Sequence, residues 1–183
     1  METGNIGKKI LVVGCPGSGK STFAKELHTK TRLPLIHLDN LWWKADRTHI
    51  SREEFDGKLA EVMSGDAWIL DGNYSRTMET RFCFSDTVFF LDYPEDICME
   101  GILRRIGRKR EDLPWVETEP DPALEEQVRS YPDTGRRQVL ELMERYPEKK
   151  TYVFRSRSEA DAWLEAAGTD GSSLDGNGQQ KKA

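Results

Sequence analysis

The sequence lacks any apolar run that approaches the roughly 18–20 residues needed to span a bilayer. A short apolar stretch near the N-terminus ends at once in a glycine loop, which is not the pattern of a secretory signal peptide. Cysteine is scarce too. The three residues Cys15, Cys83 and Cys98 form neither a disulfide framework nor a CxxC metal pattern. We therefore expect a cytoplasmic protein with no membrane partner.

An excess of positive charge is also missing. The 32 Asp and Glu residues outnumber the 27 Lys and Arg, which gives a net charge of −5. Because a nucleic-acid binder needs a basic field to neutralise phosphates, this balance does not favour nucleic acid as the main partner. One local basic cluster, residues 104–110, leaves such a partner open. The three histidines show no metal-ligand spacing.

Short apolar segments alternate with helical patterns along the chain. The predicted strands are Lys9–Val13, Leu35–Leu38, Trp68–Leu70, Thr87–Leu91 and Thr151–Phe154. Helices are predicted for Lys20–Thr31 and Pro94–Lys109. Another begins with a capping box at Ser51, one runs from Ala123 with an interruption at Pro132, and the last follows a cap at Ser158. This alternation predicts an α/β fold of three layers, with a five-stranded parallel sheet between helices. We assign residues 1–167 to one domain and expect a flexible tail over 168–183.

Residues 14–21 match the phosphate-binding pattern G-x-x-x-x-G-K-[ST]. The predicted nucleotide-binding residues are Gly14, Cys15, Pro16, Gly17, Ser18, Gly19, Lys20, Ser21 and Thr22. Glycines allow inward-facing N–H groups, Lys20 adds a cation for the phosphates, and the Ser21 hydroxyl suits Mg²⁺. A chance glycine-rich turn is the alternative, but an apolar strand before the loop and a helix after it favour a P-loop that binds ATP and Mg²⁺.

The end of the third predicted strand narrows the class of P-loop protein. A motor-type ATPase would place Glu after Asp71, whereas Gly72 and Asn73 follow here. The Asn-Lys-x-Asp motif of GTPases is absent from the sequence. Asp-Gly at the end of this strand resembles the pattern found in the nucleoside-monophosphate-kinase branch of P-loop proteins.

Further motifs occur in a fixed order. They are residues 14–22, Leu38-Asp39 before Trp42-Trp43, Asp71-Gly72-Asn73-Tyr74-Ser75, Leu91-Asp92-x-Pro94, and Phe154-Arg155-Ser156-Arg157-Ser158-Glu159. This set, covering about residues 8–167, resembles the adenylate-kinase-related DNA topology modulation proteins. The resemblance implies a nucleoside-monophosphate-kinase-like fold. Adenylate kinases have Phe-Pro-Arg after Asp-Gly, whereas this chain has Asn73 to Arg76, so AMP is not indicated as the acceptor.

Four residues are predicted to be catalytic. Lys20 would contact the phosphates, and Asp39 would accept a proton from the acceptor or bind its polar group. Arg104 and Arg108, four apart on the predicted helix, would reach the phosphates from a lid over about residues 104–122. Ordinary loop and surface roles are the alternatives for Asp39 and the two arginines.

Other residues are candidates for the metal and the acceptor. Ser21 and Asp71 are the predicted metal residues. Asp71 would act on the metal through water or would orient the P-loop; the alternative is that it only caps the turn at the end of its strand. Arg76 and Arg81 are weighed between an acceptor-phosphate role and a surface role, and Trp42 or Trp43 could stack on an acceptor base.

The resulting hypothesis is an enzyme that transfers the γ-phosphoryl group of ATP to a small-molecule acceptor, such as a nucleotide. The alternative is a regulatory ATP-binding protein with little transfer activity, acting on DNA topology or a partner. Two hypotheses remain for the Cys15 thiol. Either it lies in the positive field of the loop and is reactive, or it points away and is inert.

Overall fold

The computed structural model describes residues 6–169 of the chain. The flexible tail predicted for 168–183 lies outside the described residues, except for its first two positions, which belong to the last helix. Within the described range, no helix combines the length and apolar character needed to cross a membrane.

Five parallel strands form one sheet in the order β2-β3-β1-β4-β5. Their bounds are β1 Lys9–Gly14, β2 Leu35–His37, β3 Trp68–Asp71, β4 Thr87–Leu91 and β5 Lys150–Phe154. Every residue of β3 and β4 is buried, as is β1 after its first residue. Because successive side chains point to opposite faces, helices must cover both faces of the sheet. The predicted three-layer α/β fold is therefore confirmed.

Eight α-helices and one 3₁₀ helix lie among the described residues. They are α1 Lys20–Thr31, α2 Leu38–Trp42, α3 Arg52–Ser64, α4 Ser75–Phe84, α5 Glu95–Arg104, α6 Pro122–Ser130, the 3₁₀ helix Tyr131–Asp133, α7 Gly135–Arg145 and α8 Arg157–Thr169. The predicted cap of α3 is confirmed, since the Ser51 side chain accepts a hydrogen bond from the Glu54 N–H. The interruption predicted near Pro132 is the 3₁₀ helix.

Several predicted element ends differ from the structure by one residue. The end of the second strand, the end of α5 and the cap of α8 are the errors with a clear physical reason. The second strand ends at His37, because Leu38 and Asp39 begin α2. Helix α5 ends at Arg104 rather than Lys109, because Gly107 adopts a left-handed φ of 76° and its N–H bonds to the Glu117 carbonyl. Arg104 and Arg108 therefore do not share a helical face.

The third error is the cap of α8. The hydroxyl of Ser156, not Ser158, accepts the N–H of Glu159 at 3.3 Å. Helix α4 has no counterpart in the sequence prediction at all. Its buried face includes a charged residue, Arg81, so the apolar periodicity is interrupted where the helix meets the core.

The P-loop packs directly against α5. A Cβ atom on Gly101 would lie 2.0 Å from the Gly17 carbonyl oxygen, and one on Gly17 would lie 2.0 Å from the Cys98 carbonyl oxygen, so the loop and α5 touch only because both residues are glycine. Gly17 also has a φ of 83°, which other residues rarely adopt. The position of the phosphate loop thus depends on this glycine pair.

Replacing Gly101 with alanine is expected to destabilise the fold by about 1–3 kcal/mol, because the added methyl group overlaps backbone that cannot move cheaply. The matched control is Gly57→Ala in α3, where nothing lies within 4 Å of the added Cβ. That change should stabilise the protein by about 0.8–1 kcal/mol through helix propensity. Melting temperatures measured by circular dichroism should move in opposite directions; two upward shifts would refute the close packing.

Candidate active site

The predicted phosphate loop connects β1 to α1. Gly17 and Gly19 both have left-handed φ values, 83° and 89°, and the Ser18 N–H bonds back to the Cys15 carbonyl at 3.1 Å. Gly19 also precedes α1 without any side-chain cap. The first N–H groups of α1 therefore have no intrahelical acceptors and, together with the helix dipole, suit an anion.

A cavity of about 730 Å³ opens in front of this loop. Its wall includes residues 17–22, so six of the nine predicted nucleotide-binding residues share one cavity. The cations that line it are Lys20, Lys25, Arg104, Arg105, Arg108, Lys109, Arg110 and Arg157. The Ser18 hydroxyl is buried there without a hydrogen-bond partner among the described residues. A buried polar group of this kind requires a partner, which a bound phosphate would supply.

The first three loop residues lie outside that wall. The N–H of Gly14 donates to the Asn73 side-chain oxygen at 3.3 Å, and the Asn73 amide returns a bond to the Gly14 carbonyl at 2.8 Å. Asn73 thus ties the start of the P-loop to the end of β3. No signal in the sequence indicated this role for Asn73, because its partner lies 59 positions away.

Cys15 does not line the cavity in front of the loop but a separate one beside Tyr93 and Tyr131. The residue is only 2% exposed, and its thiol interacts with that of Cys98, which is fully buried. The contact with Cys98 and burial both raise the pKa of the Cys15 thiol, and the nearby Lys20 offsets this only in part. Of the two readings of position 15, the structure supports the inert one.

Brief alkylation is therefore expected to modify Cys83, which is partly exposed, well before Cys15 or Cys98. Peptide mapping after treatment with iodoacetamide, with and without MgATP, measures this order directly. If Cys15 reacts first and MgATP protects it, the thiol faces the nucleotide after all.

Asp71 ends β3 beside the P-loop strand. Its Oδ2 lies 2.7 Å from His37 Nδ1, and its Oδ1 is buried without a hydrogen-bond partner among the described residues. Burial alone would lower the pKa of His37, but the hydrogen bond and charge of Asp71 raise it.

The predicted metal residues, Ser21 and Asp71, have side chains whose chemistry suits Mg²⁺. Among residues 6–169, no three His, Cys, Asp or Glu side chains form a preformed metal cluster. Mg²⁺ does not need one, since it keeps several waters and is usually held by one or two carboxylates plus phosphates. The free oxygen of Asp71 and the hydroxyl of Ser21, which lines the cavity, are donors of the right chemistry.

Asp39 lies in the first turn of α2, just past the end of β2. Its Oδ1 accepts a hydrogen bond from the Tyr74 hydroxyl at 2.7 Å. Burial raises the pKa of Asp39, with Asp71 adding to the effect, while Lys20 and the Tyr74 hydroxyl oppose it. The carboxylate is thus close enough to Lys20 to feel its charge.

Arg81 stabilises the loop that follows β3 rather than binding an acceptor. It is fully buried, and it donates to the carbonyls of Gly72 at 2.8 Å, of Tyr74 at 3.0 Å, and of Asn73. Burial lowers its pKa to about 9. Arg81 therefore holds the loop that positions Asn73 and Tyr74, and both roles considered from the sequence are wrong.

Other candidates from the sequence also have partners elsewhere. Arg76 pairs with Asp56 on the surface. Trp42 packs against Phe55 and Tyr74, with ring centroids 5.5 and 6.2 Å apart, and it does not line the cavity.

The lid, residues 104–122, contains no helix or strand between 105 and 121. Arg104 and Arg108 line the cavity as exposed side chains, and Arg104 pairs with Glu100. Arg105 and Arg110 are better buried, and both pair with Glu117, at 2.7 and 3.1 Å. The basic run in the sequence did not distinguish Arg105 and Arg110 from the exposed arginines, because both depend on Glu117 for their burial.

Comparison with known proteins shows the fold. No protein-family profile matches the chain, and no curated protein matches it. The chain is similar to the unliganded structure of a sugar kinase from Janibacter sp. HTCC2649, with a TM-score of 0.52, 19% identity, and coverage of 89% of this chain and 93% of that one. It is also similar to a shikimate kinase from Bacteroides thetaiotaomicron, with a TM-score of 0.52, 15% identity, and coverage of 86% and 94%.

These likenesses, together with the strand order and the loop geometry, define the class: the chain has the P-loop NTPase-like fold of shikimate and sugar kinases.

Proposed function

We propose that the protein is a phosphotransferase that moves the γ-phosphoryl group of ATP to a small-molecule acceptor. The observation that carries this proposal is one cavity that combines the glycine loop, Lys20 and the guanidinium groups of the lid. Phosphoryl transfer depends almost entirely on positioning and on charge stabilisation, so such a set of groups suits it. The kinase fold supports the same reaction class.

Each residue of the site has a defined task in this reaction. Lys20 and the N–H groups of the loop bind the triphosphate, and the lid arginines neutralise charge on the transferring group. A divalent cation held by Ser21, with Asp71 acting through water, would neutralise the phosphates further. Asp39 accepts the proton of the acceptor hydroxyl or orients it.

Membership of the DNA topology modulation group is part of the proposal, supported by the ordered motifs of the sequence.

Internal contacts argue for an acceptor other than AMP. Asn73, Tyr74 and Arg76 stand near the place of the AMP-binding residues of adenylate kinases, and here they bond to Gly14, Asp39 and Asp56. Nucleotides other than AMP and small hydroxyl compounds are the classes to test first.

The test is a screen with ATP labelled in the γ-phosphate, offered separately with nucleoside monophosphates, nucleosides, sugars and other small alcohols. A single labelled product formed at a rate well above ATP hydrolysis supports the kinase. Saturable ATP binding without any labelled acceptor, combined with salt-sensitive binding to duplex DNA, would instead support the regulatory ATP-binding protein.

A further inference from the structure

Asp112 brings a second carboxylate from the lid to the edge of the predicted metal site. It is only 6% exposed, it lines the same cavity as Ser21, and its carboxylate interacts with the Ser21 hydroxyl. Arg110 pairs with it through two hydrogen bonds, one of 2.9 Å from Nε. The Asp112 carboxylate is therefore buried and held between Arg110 and Ser21.

Two contacts hold this part of the lid in place. The Glu111 carboxylate pairs with Lys25 of α1 at 2.7 Å, and the Glu111 carbonyl accepts the Asn40 side-chain amide of α2 at 2.7 Å. The residue next to Asp112 is therefore attached to helices that follow the P-loop and β2. The contacts of Glu111 with α1 and α2 consequently hold Asp112 beside the Ser21 hydroxyl.

The surroundings of Asp112 indicate a ligand. Two buried polar atoms of the candidate site have no hydrogen-bond partner among the described residues: the Ser18 hydroxyl, which lines the same cavity as Asp112, and Asp71 Oδ1, beside His37. The charge of Asp112 also acts on His37 and Asp39 on the sheet side. Carboxylates thus lie on the lid side, at Asp112, and on the sheet side, at Asp39 and Asp71, and a divalent cation bound with the phosphates would balance their charge.

We propose that Asp112, in the lid, belongs to the divalent-cation site. Its carboxylate and the Ser21 hydroxyl would bind the cation together when the nucleotide is present. This inference rests on the proposed ATP-dependent function. It predicts that metal affinity, and not affinity for the free nucleotide, depends on the lid carboxylate. The opposite arrangement would be a plug, in which Asp112 occupies the place of the phosphates and must leave before ATP enters.

The experiment uses the full chain and two probes. Titration calorimetry measures ATP binding in EDTA, and electron paramagnetic resonance measures Mn²⁺ binding in the presence of a non-hydrolysable ATP analogue. Asp112→Asn is expected to weaken Mn²⁺ binding about 10–100-fold, the usual effect of losing a supporting metal-site group. Metal-free ATP binding should stay within about threefold of wild type or tighten slightly, because a repulsive charge is lost.

The matched control is Glu111→Gln, which loosens the neighbouring attachment to Lys25 but keeps the Asp112 carboxylate. It should retain most Mn²⁺ binding, because the Lys25 pair is exposed and contributes little, and the Glu111 carbonyl still accepts the Asn40 amide. Asp112→Glu should restore part of the loss, and melting curves confirm that each variant is folded. Equal losses in Glu111→Gln and Asp112→Asn would assign the effect to lid closure and overturn the proposal. Tighter metal-free ATP binding in Asp112→Asn with unchanged Mn²⁺ binding would show the plug instead.

Failure of the proposed function gives a different result. If wild-type protein binds no ATP with or without metal, the phosphotransferase proposal falls, and the cation site falls with it. If ATP binds and Mn²⁺ binding is the same in wild type and Asp112→Asn, only the role of Asp112 is refuted.

Discussion

Alanine at position 20 is expected to weaken MgATP binding by about 10–150-fold and to abolish phosphoryl transfer. Lys20 lines the cavity beside the glycine loop, and a hydrogen bond to a charged group contributes about 1.5–3 kcal/mol. The lost amine also leaves the γ-phosphate without the charge that the reaction requires. Titration calorimetry with ATP and the labelled-ATP assay measure the two effects separately.

Lys30→Ala is the matched control for this change. Lys30 lies in the same helix, is exposed, and does not line the cavity. Its replacement should leave both binding and transfer within about twofold of wild type, as expected for a surface site away from special features. Transfer by Lys20→Ala at a third or more of the wild-type rate would remove the central claim of the proposed function.

The P-loop and the sheet were predictable because their determinants are local. The glycine loop occupies eight consecutive positions, and each strand is a short apolar run between turn signals. The carboxyl ends of parallel strands meet at one rim, and the structure accordingly places His37 opposite Asp71 and Gly14 opposite Leu91. Local pattern and sheet geometry together were enough to bring these residues into one region.

The supporting residues were not predictable, because their partners lie far away in sequence. Asn73 bonds to Gly14 across 59 positions, and Asp112 meets Ser21 across 91. Arg81 shows a second limit. A fully buried charge interrupts the apolar face of α4 and hides the helix, and its role appears only once the carbonyls around it are known.

The lid illustrates a third limit. A basic run at a helix end predicts a helical face, yet one glycine with a left-handed φ, Gly107, ends the helix and changes the direction of every later side chain. Arg104 and Arg108 still line the cavity, but Arg105 and Arg110 take the inner positions through Glu117. The catalytic assignment of Arg104 and Arg108 therefore stays a prediction.

Asp39→Asn is expected to lower the rate of transfer about 10²–10⁴-fold, the contribution of a positioned general base, while MgATP binding changes little. Stability should not fall. Burial raises the pKa of Asp39 above its ordinary 3.8, so the folded protein loses stability as pH rises from 3.8 through that higher value, and a neutral amide avoids this cost. Steady-state kinetics with the acceptor found in the screen, and melting curves, give both quantities. A destabilised variant with normal turnover would make Asp39 structural.

The pH profile tests the same residue without removing it. Asp39 must be ionised to act as a base, so transfer should fall as pH drops through its raised pKa, and this acid limb should be missing in Asp39→Asn. In Tyr74→Phe the limb should move to higher pH, because the lost hydroxyl stabilises the ionised carboxylate. The Phe ring keeps the stacking on Phe55, whose centroid lies 5.0 Å away. An acid limb that is the same in wild type and Tyr74→Phe would assign the titration to another group, and Asp39 would then only orient the acceptor.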